Sequence, residues 1–284
     1  NWKKVLGGDE WTGVTDILID PRNPDRLYAA TWQRHRTVAA LMGGGPESGL
    51  HRSEDGGETW TKLKSGLPGS NMGKIGMALS PQKPDVIYAA IELNRTKGGV
   101  YKSIDGGMSW MHLGLKNTER IKRIVVDPKD PNIACVCALG KEWGPNKERG
   151  VFKTTDGGKT WNKILYIDEN TGCADIAMET NNPRIMYAGM WTFRRKPWRF
   201  DDGGGNTALY RTMDGGQTWE KIMNGLPVKD MARPGVHIAQ SEPNIIYLMT
   251  EFEGGGTAFK SMDRGENWEM VNDDPNINFR PFYY

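Results

Sequence analysis

Two aspartates, Asp16 and Asp175, sit 159 residues apart at matching places in the runs TDILID and ADIAME. Paired carboxylates flanking a sugar linkage are the equipment of an inverting glycoside hydrolase, one acting as acid and one as base across about 6.5–9.5 Å. On that chemistry Asp16 and Asp175 are the candidate catalytic residues. Arg123 holds the same place in a third run, and an ordinary Arg123–Asp175 ion pair in a partly wet channel is the structural alternative, which the sequence favours. A second group mixes aromatic rings with basic side chains: Trp32, Arg34, His35 and Arg36; Glu92 and Arg95; Trp143, Lys147 and Arg149; Trp191, Phe193, Arg194, Arg195, Trp198, Arg199 and Phe200. Tryptophan supplies stacking area and arginine supplies planar donors for carboxylates. The expected ligand-binding residues are therefore Trp32, Arg34, Arg36, Arg123, Trp143, Arg149, Trp191, Arg194, Arg195 and Trp198. Loops that merely fold over one another, with Trp32, Trp143 and Trp191 as packing anchors, are the plainer reading.

What must position these residues is a repeat. One octapeptide occurs five times, as SEDGGETW (53–60), SIDGGMSW (103–110), TTDGGKTW (154–161), TMDGGQTW (212–219) and SMDRGENW (261–268). Its tryptophans fall 50, 51, 58 and 49 residues apart, the spacing of propeller blades or similar arrays. The aspartates Asp55, Asp105, Asp156, Asp214 and Asp263 can accept backbone N–H bonds within a hairpin, the following glycines supply positive φ, and Trp60, Trp110, Trp161, Trp219 and Trp268 bury their rings. A residue needed five times reads as a staple, not as a nucleophile. Arg264 replaces the first glycine of the last copy, so a looser turn is expected there. Each period also carries two apolar runs around a Pro-rich turn, such as Ile17 to Ala30 through Pro21 and Pro24. Proline cannot donate to a ladder, so it marks the turn between strands.

Four short antiparallel strands per period predict an all-β propeller of four-stranded blades. Five complete blades are expected at about 12–65, 71–115, 121–165, 171–223 and 232–271, with partial strands at 2–6 and 280–284 and a six- or seven-bladed ring. The octapeptides and Pro turns share one face of such a blade, and the long inserts after Trp32 and Trp191 lie on the other. A single propeller domain, or a fragment of a longer chain, follows.

Composition removes several functions. The 37 basic and 35 acidic residues leave a formal charge of +2, which speaks against nucleic acid as a partner. No apolar run is long enough for a spanning helix, so no membrane insertion is expected. Cys135, Cys137 and Cys173 show no metal-ligand spacing, and neither a zinc site nor a disulfide scaffold is expected. Cys135 and Cys137 would share one strand face as small buried side chains. His35, His51, His112 and His237 lie in unrelated contexts, each read as a surface or loop residue. Asp201-Asp202 before three glycines could offer oxygens to Ca²⁺ but lacks a full ligand set and reads as a loop. No cofactor and no metal are expected, and the sequon Asn94-Arg95-Thr96 is read as unused.

The octapeptides resemble the Asp-box, or BNR repeat, of sialidases, family-74 xyloglucanases, the VPS10 domain of sortilin and a photosystem II assembly factor. With its DPxxP-type turns, Trp143-Gly144-Pro145-Asn146 and Asn272-Asp273-Asp274-Pro275, the whole chain looks closest to secreted bacterial sortilin-like or BNR-repeat glycosyl hydrolase-like proteins. That resemblance implies a propeller of the cell envelope or exterior that binds a peptide, protein partner or glycan through its long-loop face and central channel, with further domains or a larger assembly. A polysaccharide-cleaving glycoside hydrolase and a structural subunit are the alternatives. Sialidase activity is disfavoured, because no Arg-Ile-Pro motif or arginine triad accompanies the boxes.

Overall fold

The computed structural model describes residues 3–69, 71–93, 97–227, 231–251 and 258–274. Among them there is no helix, and five four-stranded antiparallel sheets follow one another along the chain. The first sheet orders β1 (Thr12–Asp20), β2 (Asn23–Gln33), β5 (Gly49–Ser53) and β6 (Thr61–Lys62), with the hairpin β3 (His35–Arg36) and β4 (Leu41–Met42) inserted after β2. The second runs from β7 (Met72–Leu79) through β8 (Ile87–Leu93) and β9 (Lys97–Ser103) to β10 (Met111–His112). The third orders β11 (Ile121–Val126), β12 (Ala134–Ala138), β13 (Gly150–Thr154) and β14 (Asn162–Leu165). In the fourth, β15 (Thr171–Met178), β16 (Met186–Lys196), β18 (Ala208–Thr212) and β19 (Glu220–Lys221) are joined by β17 (Arg199–Asp202), which pairs with the far end of β16. The fifth orders β20 (Gly235–Ile238), β21 (Ile246–Met249), β22 (Ala258–Ser261) and β23 (Glu269–Asn272). The protein is an all-β propeller built from such blades. Residues 3–6 form no strand, and Trp2 and residues 280–284 lie outside the described residues, as does the sequon at 94–96.

The chain forms two compact units: residues 1–134 with 154–161, and residues 135–153 with 162–284. In the first, Tyr28, Leu50, Ile75, Ile87, Ile91 and Trp110 belong to one buried cluster. In the second, Tyr187, Leu209, Ile222, Val236, Leu248 and Trp268 do the same. Strand turns are set by side chains: Asp127 accepts from the Lys129 N–H (2.8 Å) and Asp130 from that of Asn132 (2.8 Å), the Asx geometry that makes aspartate a turn former.

All five octapeptides fold alike. The Ser or Thr hydroxyl donates to the aspartate at 2.7–2.8 Å and accepts the N–H of the second glycine at 2.8–2.9 Å. The aspartate also takes the N–H of the residue before the tryptophan at 2.9–3.0 Å. The Thr59 hydroxyl (2.6 Å), then the Thr59 N–H and the Ser53 hydroxyl, hold the Asp55 carboxyl near 2. A further bond ties the turn to the Pro-rich turn of its own sheet, as from Gly106 N–H to the Asp85 carbonyl (3.0 Å). The expectation of a looser last turn is corrected. Arg264 adopts φ 62°, and its side chain bonds Asn244 and Glu179 (3.0 Å), contacts that offset the strain of a left-handed non-glycine residue.

The cysteine reading also needs correction. Cys137 on β12 is disulfide-bonded to Cys173 on β15, with Cα atoms 5.0 Å apart, while Cys135 is free and buried. Cys135 and Cys137 do share a face: the Cys135 thiol meets the Met186 sulfur at 3.6 Å. His51 departs from the loop expectation as well. It lies buried on β5, and burial together with the Lys62 charge pushes its pKa down to about 4.

Candidate functional site: inner-strand aspartates and aromatic loops

Asp16 and Asp175 occupy the same structural position within their own units. Each follows a register irregularity in an inner strand, between Val14 and Asp16 in β1 and between Cys173 and Asp175 in β15. The Asp16 carboxylate accepts the Met77 N–H of β7 at 2.7 Å, and that of Asp175 accepts the Val236 N–H of β20 at 3.0 Å. The duplication is thus complete, since Met77 and Val236 are also 159 residues apart. In both places the bulge re-aims a side chain so that a carboxylate bonds the inner strand of the next sheet. Burial raises the Asp16 pKa against the opposing Met77 and Ile17 N–H bonds and the charges of Arg123 and Lys74.

In the first unit the loops after β2 form a small aromatic cluster. Trp32 donates its indole N–H to the Gly43 carbonyl (2.9 Å), and the Arg34 guanidinium stands 5.4 Å from its ring centre. The His35 ring stacks on Trp11 at 4.3 Å. Arg36, exposed, pairs with Leu41 in the hairpin. Trp32 is thereby a loop anchor that still offers a half-exposed edge.

The second unit carries a larger cluster. Strand β16 runs past its sheet and returns as β17, with Phe193 opposite Asp202 and Lys196 opposite Arg199. Trp191 is buried, stacks on Phe193 at 4.5 Å and donates to Asp202 at 2.7 Å. Beyond it the surface opens. Trp143 is 61% exposed and Trp198, at the hairpin tip, 81%. The Arg195 guanidinium stands 5.9 Å from the Trp143 ring and 5.3 Å from that of Phe200, with Glu142 at 3.6 Å. Arg194 is turned to Asn170. Asp201 pairs with Lys196 (2.9 Å) and Arg199, so its oxygens already serve cations of the hairpin.

Arg149 belongs to the framework and not to the open surface expected of it. It is fully buried, donates to the carbonyls of Leu139 (2.6 Å), Lys141 (2.6 Å) and Gly144 (3.1 Å), and lies 4.6 Å over the Phe193 ring. Its guanidinium folds the loop that presents Trp143. Five rigid donors suit such a loop, whereas a lysine point charge would not.

One group of titratable residues escaped sequence reasoning. Burial lifts the Asp202 carboxyl to about 6 against the Trp191 bond and the Arg233 charge. Burial, with the Asp202 charge second, lifts Glu251 to about 7. Each has one carboxylate oxygen buried without a hydrogen-bond partner among the described residues. Arg233 feels both Asp175 and Asp202. Asp202, Arg233 and Glu251 come from three segments with no common motif, and of these only Asp202 had drawn notice in the sequence.

Known proteins share this architecture. A xyloglucanase of Paenibacillus sp is 25% identical over 95% of the chain and 26% of its own length. The photosystem II assembly lipoprotein Ycf48 of Synechococcus sp. (strain CC9902) is 26% identical over 98% of the chain and 72% of its own. Among solved structures, the GH74 xyloglucanase from Xanthomonas campestris superposes with TM-score 0.67 at 18% identity, covering 95% of this chain and 40% of that one. The Niastella koreensis GH74 enzyme gives 0.64 at 21%, over 91% and 38%. The chain spans about a quarter to a third of the length of the xyloglucanases it matches. The family model described as "Sortilin, neurotensin receptor 3" matches residues 48–189, half of the sequence, and the chain belongs to this Sortilin-Vps10 family.

Proposed function

We propose that the protein is an extracytoplasmic binding propeller that recognises a peptide, protein partner or glycan through the loops at the far ends of its sheets. The observation that carries this reading is the Trp143–Arg195–Phe200 array with Trp198 beside it in sequence. An exposed tryptophan ring and a half-buried phenylalanine about one guanidinium make a platform for a sugar face or an aromatic or acidic side chain. Arg194 and Arg123, and in the first unit Trp32, Arg34 and Arg36, extend the set of candidate contacts. The Cys137–Cys173 disulfide supports an oxidising compartment. Printing glycans and peptides for a binding screen tests the reading: Trp198→Ala and Arg195→Ala should each weaken a hit about tenfold or more, and hits indifferent to both would overturn it.

The second reading, a glycoside hydrolase with Asp16 and Asp175 as its carboxylates, is favoured by the xyloglucanase relatives. Their engagement with Met77 and Val236 N–H groups weighs toward a structural role. Turnover of a polysaccharide that Asp16→Asn or Asp175→Asn abolishes, with folding intact, would establish the enzyme. A third reading, a structural subunit, requires the loop surface to be buried by another chain.

A further inference from the structure

Six places in the chain put glycine directly after asparagine or aspartate: Asn224-Gly225, Asp55-Gly56, Asp105-Gly106, Asp156-Gly157, Asp202-Gly203 and Asp214-Gly215. Glycine has no side chain to shield its nitrogen, so at such places the nitrogen can attack the preceding side-chain carbonyl and close a five-membered succinimide. That attack needs a free N–H. In five of the six it is engaged: Gly56 donates to the Asp25 carbonyl (2.9 Å), Gly106 to Asp85 (3.0 Å), Gly157 to Asn132 (2.9 Å), Gly215 to Arg184 (2.9 Å) and Gly203 to Thr192 (3.0 Å). The four octapeptide carboxylates are held as well by hydroxyl and N–H donors.

Asn224-Gly225 differs on each count. Both residues are exposed, in the turn after β19, and the Gly225 N–H donates to no group among the described residues. The Asn224 side chain is a neutral amide with one restraint, the bond from its Nδ2 to the Asn267 Oδ1 at 2.6 Å. The first unit contains the same turn at Ser65-Gly66, 159 residues earlier. There the Trp110 N–H bonds the Ser65 carbonyl at 3.1 Å, as the Trp268 N–H bonds that of Asn224 at 3.0 Å, and both glycines have positive φ, 74° and 89°. The backbone of this turn therefore does not require asparagine.

We propose that Asn224 is a self-acting modification site, where the folded chain converts the amide to an acid and so loosens its last octapeptide. The Gly225 nitrogen attacks the Asn224 Cγ, the Cγ–Nδ2 bond breaks, and Nδ2 leaves as ammonia with the Gly225 proton. Water then opens the ring, at Cγ to give aspartate or at the Asn224 backbone carbonyl carbon to give isoaspartate. Asn267 cannot adapt to the product. Its Nδ2 is committed to Asp263 at 2.7 Å, so turning the amide to meet the new carboxylate would break the octapeptide's own bond. Two acceptors then face each other where a donor met an acceptor. Isoaspartate also adds a backbone atom beside Gly225, where even a Cβ would lie 2.2 Å from the Trp268 carbonyl oxygen.

Peptide mapping by mass spectrometry, on the native chain and on the chain unfolded in guanidinium at the same mildly alkaline pH, tests this. Giving up one hydrogen bond slows a reaction by about tenfold, so native Asn224 should convert within about tenfold of its unfolded rate. The four octapeptide Asp-Gly pairs, with several bonds to break, should isomerise at least about a hundredfold more slowly native than unfolded. A native Asn224 amide slowed as much as those pairs would overturn the proposal, as would octapeptide pairs that react in the native chain as fast as Asn224. Asn224→Asp should melt about 2–4 °C below the parent at neutral pH, and a melting curve that matches the parent would overturn the loosening.

Discussion

Replacing Arg149 separates a framework role from ligand contact. The wholly buried guanidinium makes three bonds to carbonyls of the 139–144 loop and covers the Phe193 ring. A hydrogen bond to a charged group contributes about 1.5–3 kcal/mol, but the three are not additive, since a loop freed of its clasp rehydrates part of its backbone. Arg149→Met, which retains the aliphatic stem, should therefore cost about 3–5 kcal/mol, and Arg149→Lys, able to keep one bond, roughly half as much. Urea unfolding followed by far-ultraviolet and tryptophan signals measures the loss, with the two compact units allowed separate transitions. The platform should suffer with it, because Trp143 rides on the same loop. An Arg149→Met protein within about 0.5 kcal/mol of the parent that nonetheless loses a ligand would refute this reasoning and return Arg149 to the binding surface.

Asp16→Ala and Asp175→Ala should each destabilise by about 1–3 kcal/mol, the cost of leaving the Met77 or Val236 N–H unpaired, while the Asn variants, which keep an acceptor, should stay close to the parent; equal stability of Ala and Asn in urea melts would dismiss the clasp. Cys137→Ser should lose roughly 3–4 kcal/mol, the chain-entropy value for a loop closed between residues 36 apart, and dithiothreitol should lower the melting temperature of the parent but not of the variant. Glu251 has a folded pKa near 7 against an unfolded value near 4.5, so its contribution is present below the unfolded value and is lost as pH rises through 7. Glu251→Gln should thus raise the melting temperature at pH 8 and leave it unchanged at pH 4; an identical shift at both would contradict the burial argument. His51 works in the opposite sense. Its depressed pKa near 4 means that stability is lost as pH falls from 6.5 through 4, and His51→Phe should flatten that part of the pH–melting profile.

The sequence alone determined the sheets, because a hairpin staple written five times at near-constant spacing leaves few folds that can use it. It also contained half of a contact between successive sheets: a Lys or Arg precedes the Ser or Thr of every octapeptide, and Lys102, Lys153 and Arg211 donate to the Gly157, Gly215 and Arg264 carbonyls of the next turn, although those acceptors are backbone and therefore silent in the letters. The equivalence of Asp16 and Asp175 was legible from the 159-residue offset, whereas their N–H partners depended on bulges that no residue type announces. Only the tertiary structure decided that Cys137 pairs with Cys173 and Cys135 does not, since three thiols at these spacings admit every pairing until two strands bring one pair within reach. It alone turned Arg149 inward while leaving Trp143 and Trp198 in solvent. Aromatic and arginine-rich loops have the same composition whether they fold on themselves or face a ligand, and burial there is settled by long-range packing that the local sequence does not encode.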